Sequence, residues 1–237
     1  MVKTVFNVLY RRLLQYYGPQ GWWPIRNKSK NKGFDSGGYH KGDYSYPRTF
    51  KEAFEIILGA ILTQNTSWRN VCRSVSNLNK ENLLSPESVL SCCKETLSQI
   101  IRSSGYYNQK AIKLREISKF LIDKNYLSIT KPPTREELLS VWGIGDETAD
   151  SILLYAFKKH FFVIDTYTKR ILFRLGILKE DKKYQEIQKL FHKNINQDLA
   201  IYNEFHALFV RHSKEYCMKK PYCSDCFLKD MCIYGKL

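Results

Sequence analysis

Several groups of residues in this 237-residue chain have types and spacings that chemistry could use. The first is Cys217, Cys223, Cys226 and Cys232, four of seven cysteines, set as C-x5-C-x2-C-x5-C near the carboxyl end. Four thiolates so close in sequence can converge on one soft metal centre, because the loops between them are long enough to wrap it. Zinc favours paired C-x2-C knuckles, and only one is present. A [4Fe–4S] cluster suits the asymmetry better, with zinc or free thiols as the alternatives. An odd cysteine total without a secretory leader pattern argues against a disulfide framework.

The second group is Gly143-Ile144-Gly145, followed by a helical pattern from Asp146. Glycines there permit positive φ and leave backbone N–H groups unobstructed at a helix start, an arrangement suited to a phosphate. An ordinary corner between two helices reads the same way. The third is Asp165, just ahead of the helical pattern DTYTKRILFRLG. Residue type alone favours a helix N-cap, and an ionised carboxylate there could also stabilise developing positive charge. The fourth is aromatic: Trp22 and Trp23 in a Gly- and Pro-bounded stretch, and Trp68 in NTSWRN. They either cover the core or form a slot for a planar ring.

The elements that must position these residues are helical. Thr49 to Glu52 and Thr134 to Glu137 are capping boxes, the first opening a helix apolar nearly all round. Ala111, Leu114, Ile117, Ser118 and Leu121 mark one face of another helix. No convincing strand alternation occurs, so the expected fold class is all-α. Residues 26–48, rich in Lys, Gly and Ser, read as a mobile basic loop. The expected organisation is a helical lobe over 49–162 and a second lobe from 1–25 with 163–237, with 26–48 as an insert. No apolar run is long enough to span a membrane. The formal charge of +15 points to a polyanion, nucleic acid first, although a lysine-rich habit alone could produce it.

These motifs together resemble the helix-hairpin-helix and Gly/Pro-Asp signature of the endonuclease III superfamily of DNA glycosylases. Val163-Ile164-Asp165-Thr166 stands for the terminal element. Leu62 to Thr66, with Gln64 and Asn65, is similar to the family's wedge loop. Gly105 to Ala111, with Asn108 and Lys110, is similar to its second phosphate-facing joint. His212 and the four cysteines match the cluster-bearing tail, and the likeness covers about residues 50–235. The first cysteine loop is one residue shorter than in better-known members.

The resemblance implies a two-lobed fold, a [4Fe–4S] cluster on Cys217, Cys223, Cys226 and Cys232, and Asp165 as the catalytic carboxylate. Gln64 would fill the gap left by a flipped base. Asn65, Gly105, Asn108, Lys110, Gly143 and Gly145 would meet the DNA backbone. Bifunctional members carry a lysine just after the glycine turn, and this chain has Glu147 there. A carboxylate cannot form an imine, so a monofunctional enzyme is expected. The Trp22-Trp23-Pro24 run resembles the pocket of the 3-methyladenine branch, which implies a damaged base stacked between Trp23 and Trp68, with Trp22 and Glu147 nearby. The expected partner is double-stranded DNA with a damaged base, met by a monomer at the cytoplasmic nucleoid. A separate endonuclease would then cut the abasic site. Uracil, thymine mispairs, oxidised pyrimidines and a non-catalytic DNA-binding role are the alternatives.

Overall fold

The computed structural model describes residues 2–236, and no strand occurs among them. The chain divides into two compact units, one of Met1–Trp22 with His160–Leu237 and one of Trp23–Lys159. The first unit opens with α1 (Val2–Tyr17), whose Phe6, Leu9 and Leu13 are fully buried at helical spacing. It stops at Gly18, where φ is +67° and the amide closes on Leu14.

The 23–159 unit is built around α2 (Phe50–Leu62), in which every residue from Glu52 onwards is buried. Its start is fixed by the Thr49/Glu52 capping box anticipated from sequence. Around it lie α3 (Trp68–Lys80), α4 (Pro86–Ser91), α5 (Lys94–Ile100) and α6 (Tyr107–Asp123). The face of α6 that buries is Ala111, Leu114, Ile117, Ser118 and Leu121, as its period requires. Then come α7 (Arg135–Ser140), opened by the second capping box, and α8 (Asp146–Ser151). Beyond Ser151 the helix widens into a π turn over Ile152–Ala156, and this turn packs on α2.

Residues 26–48 differ from the mobile loop expected of their composition. They fold into a series of turns that starts with a 3-10 turn at Arg26–Lys28. Phe34, His40 and Tyr46 pack ring on ring at the centre, with centroids 4.8–5.5 Å apart. Contact of the half-buried Phe34 and Tyr46 rings with the buried His40 supplies an order that a Lys- and Gly-rich reading overlooks.

The first unit resumes with α9 (Thr166–Arg174), α10 (Tyr184–Asn194) and α11 (Leu199–Glu215). Its centre is aromatic: Phe162 stacks on Phe191 at 3.7 Å, and Phe205 on Phe209 at 4.6 Å. α1 packs on α10 and α11, and α9 on α11. Among the described residues, no helix is long and apolar enough to cross a membrane.

Candidate active site and cysteine centre

Asp165 caps α9, its Oδ1 accepting the Thr168 amide hydrogen at 2.7 Å. Its other oxygen lies 3.5 Å from Nε2 of His206 on α11, and both side chains are buried. Burial pushes the carboxyl pKa up. The His206 contact and charge, with the Thr168 amide, outweigh it and hold Asp165 below the usual aspartate value. Asp165 therefore carries a negative charge at neutral pH inside a buried site. The cap and the charge coexist, as the Thr168 bond uses only one oxygen.

The sequence pointed to Asp165 but not to His206, 41 positions later, because only the packing of α9 on α11 joins them. The edge of Trp22 meets the His206 ring at 5.5 Å and 88°. The Trp22 carbonyl accepts from Asn203 Nδ2 at 2.7 Å, and the amides of Gln20 and Gly21 donate to the buried Glu204 carboxylate. Trp22 and Asp165 are thus both tied to α11.

In the 23–159 unit the glycine turn has the form its sequence requires. Gly143 takes φ +83°, and a Cβ there would press within 2.6–2.8 Å of the Lys113 side chain. Ile144 points inward and is buried. Gly145 has ordinary φ and open space where its side chain would be, so the start of α8 stays accessible. Arg135, at the start of α7, bridges Asp150 at 2.7 Å and Asp146 at 2.5 Å, fastening α7 to α8 across the turn. Glu147 is exposed on the first turn of α8. Gly105 is also in the positive-φ region, at +67°, and Asn108 is exposed on the first turn of α6.

Two expectations change here. Lys110 was expected at a phosphate, but it is buried and its ammonium donates to the carbonyls of Leu62 (2.8 Å) and Ser104 (2.7 Å). Burial lowers its pKa to about 8, helped by repulsion from Lys113. It is a brace between the end of α2 and the Gly105 joint. Gln64 was expected to project from the wedge loop, yet its amide donates to Gly143 O (3.2 Å) and Thr148 Oγ1 (2.9 Å) and accepts from Lys113. Asn65 is the exposed member of the pair, in left-handed backbone at φ +54°.

The tryptophans also depart from expectation. Trp23 and Trp68 meet edge to face at 5.4 Å and 83°, so no base is sandwiched between their faces in this arrangement. Trp23 is buried and also leans on Tyr155 of the π turn, at 5.2 Å. Trp68 is half-buried at the start of α3.

The four cysteines line one cavity in the first unit, together with Ile171, Leu175 and Leu228 and with no Asp or Glu in its wall. Arg174 donates to Cys217 Sγ at 3.3 Å and to the Met218 and Lys219 carbonyls. Arg170 holds the Cys217 carbonyl at 2.8 Å. Among the described residues, no three His, Cys, Asp or Glu side chains are grouped tightly enough for a single metal ion.

Comparison with known proteins agrees with this geometry. Residues 58–197 match the family model described as HhH-GPD superfamily base excision DNA repair protein. A provisionally named DNA repair glycosylase of Methanocaldococcus jannaschii is 42% identical over 233 residues, spanning 95% of this chain and 94% of that one. Endonuclease III of Thermotoga maritima is 32% identical over 79% of this chain and 86% of its own. The crystal structure of H. pylori 3-methyladenine DNA glycosylase (MagIII) bound to 1,N6-ethenoadenine superposes with a TM-score of 0.70. It is 30% identical, covering 90% of this chain and 97% of that one. The chain belongs to the HhH-GPD superfamily and is a DNA glycosylase of base excision repair.

Proposed function

We propose that this glycosylase hydrolyses the N-glycosidic bond of alkylated purines, with 3-methyladenine the leading substrate, and leaves the strand uncut. The observation that carries the reading is an ionised, buried Asp165 in a chain with Glu147 where a lyase lysine would stand. As the base leaves, positive charge develops on the sugar, and a fixed carboxylate stabilises it electrostatically. Water then adds at the anomeric carbon, and Asp165 orients it or accepts its proton. Thr168 and His206 hold the carboxylate still while this happens. An alkylated purine is cationic and departs without a strong general acid, which suits a site whose central group is an ionised carboxylate. An indole face at Trp23 or Trp68, both in the 23–159 unit, would favour such a base by roughly 0.5–2 kcal/mol. The likeness to the H. pylori enzyme supports this substrate class.

A second reading, excision of uracil or a mispaired thymine, gains from the perpendicular Trp23–Trp68 contact, which removes the double stack that selects a cation. Incubation with methylated, uracil-containing and thymine-glycol duplexes separates the two by which free base is released. Release of uracil with none of 3-methyladenine would replace the first reading with the second. Borohydride should trap no covalent adduct. If one forms, Lys214, whose ammonium feels the Asp165 charge, is the amine to substitute first.

We also propose that Cys217, Cys223, Cys226 and Cys232 hold a [4Fe–4S] cluster. The donor set is all thiol, the wall is largely apolar, and Arg174 and Lys229 offset negative charge. Such a group would supply a rigid structural centre for the tail. Broad visible absorption that disappears in a Cys226→Ser variant is the expected result, and a colourless zinc protein would reject it. The enzyme would act as a monomer on damaged duplex DNA at the cytoplasmic nucleoid and pass its abasic product to a separate endonuclease.

A further inference from the structure

The family signature leaves residues 26–48 without a role, and the structure connects them to the aromatic residues. Trp23 sits at the root of this segment and is held at its carbonyl and at its ring. The Trp23 carbonyl lies 3.0 Å from Nε2 of His40, and the opposite ring nitrogen of His40 lies 2.6 Å from the Asp43 carbonyl. His40 is buried, so these contacts are shielded from water and span the segment from its root to its return.

The indole is seated on α2 at Gly59, where even a Cβ would approach Nε1 to 3.0 Å. The chain just after Trp23 is held on the same helix. The Asn27 amide bonds the Glu55 carboxylate at 3.3 Å, and Lys28 pairs with Glu52 at 2.9 Å. Glu52, Glu55 and Gly59 are spaced by three and four residues, so they form one stripe along α2. The segment then crosses its own root. The Ile25 amide donates to Gly38 O at 2.8 Å, and a Cβ on Gly38 would come within 2.4 Å of Ile25 O. Only glycine, at φ +85°, permits that crossing. At its start, the Arg26–Lys28 turn packs on α3, the helix that Trp68 opens.

The segment thus grips Trp23 by its backbone and packs on the helix that begins at Trp68, and these two rings meet edge to face. We propose that residues 26–48 are a specificity element, with His40 and Glu55 as positioning residues that set the Trp23–Trp68 arrangement and so choose the base excised. The proposal rests on the assignment of these indoles to base recognition.

The test compares single-turnover release of 3-methyladenine and uracil by wild type, His40→Ala, His40→Gln and Glu55→Gln. His40→Ala should change the ratio of the two rates about tenfold, and His40→Gln, which keeps an N–H donor, should return towards the wild-type ratio. An unmoved ratio in folded His40→Ala overturns the proposal. If that variant fails to fold, an unmoved ratio in folded Glu55→Gln does so. Failure of the substrate reading is recognisable separately, because the wild-type enzyme would then release no 3-methyladenine and leave no ratio to compare. Near-ultraviolet circular dichroism still decides in that case: the indole signal should change in His40→Ala or Glu55→Gln, and an unchanged signal overturns the proposal.

Discussion

Asp165 and Glu55 are both buried carboxylates, one in each unit, and their environments push them in opposite directions. Asp165 has a short amide bond from Thr168 and the imidazole of His206 against it, and it stays ionised. Glu55 has burial as its dominant influence. The amides of Asn27 and Arg26 only partly oppose it, at 3.3 Å for Asn27, and its pKa rises to about 7. The difference teaches that burial alone does not decide whether a carboxylate stays ionised; close donors aimed at the oxygens do. The first residue is held ionised, and the second, with its pKa raised to about 7, serves as a seat for the Asn27 amide.

Removing the charge at Asp165 should have the largest effect. Asp165→Asn keeps a side-chain oxygen for the Thr168 amide but should slow base release by roughly 10²–10⁴-fold, with duplex affinity retained. Single-turnover kinetics beside a binding titration measures this, and normal release would remove Asp165 from the chemistry. A third buried carboxylate, Asp150, extends the comparison, since its partner is a full cation, Arg135, at 2.7 Å. Arg135→Ala takes that cation away and should cost about 3–5 kcal/mol in denaturant unfolding, a loss that a surface pair would not show.

Glu55 should be visible in the pH dependence of stability. Its folded value lies above the ordinary 4.5, so the unfolded chain releases the proton more readily, and stability falls as pH rises from about 4.5 to about 7. Glu55→Gln should flatten that decline, which amounts to at most about 3 kcal/mol. Asp165 has the opposite sign. Its stabilising contribution is present above the ordinary value of 3.8 and disappears as pH falls through its lowered folded value. The smallest effect is expected at His206→Gln, which weakens the hold on Asp165 and should move the acid limb of the release profile to higher pH. An unmoved limb would make His206 a packing residue only.

Local rules read the helices well. Both capping boxes and the buried face of α6 stand where period and cap residues placed them, and Asp165 caps α9 as its residue type suggests. What could not be read depends on partners distant in sequence. His206 reaches Asp165, Lys110 reaches the end of α2, and Gln64 binds the glycine turn, all through packing that no local pattern encodes. The 26–48 segment misled for a related reason. Lysine and glycine dominate its composition, while its order comes from three rings and one buried histidine–carbonyl contact. The orientation of Trp23 to Trp68 is likewise fixed by Gly59, His40 and Tyr155, so the sequence could propose a slot but not its angle.

The π turn at Ile152–Ala156 makes this part of the chain more sensitive to counting than to chemistry. A wide turn holds one residue more than an α-helical turn, and each residue of helix is worth about 100° of rotation. Tyr155 meets Trp23 from within that turn. Exchanging one apolar side chain there for another of similar volume would leave the contact direction intact. Deleting a single residue would restore a regular helix and swing the ring away. A library varying length between Ser151 and Phe157 should therefore be far less forgiving than one varying composition.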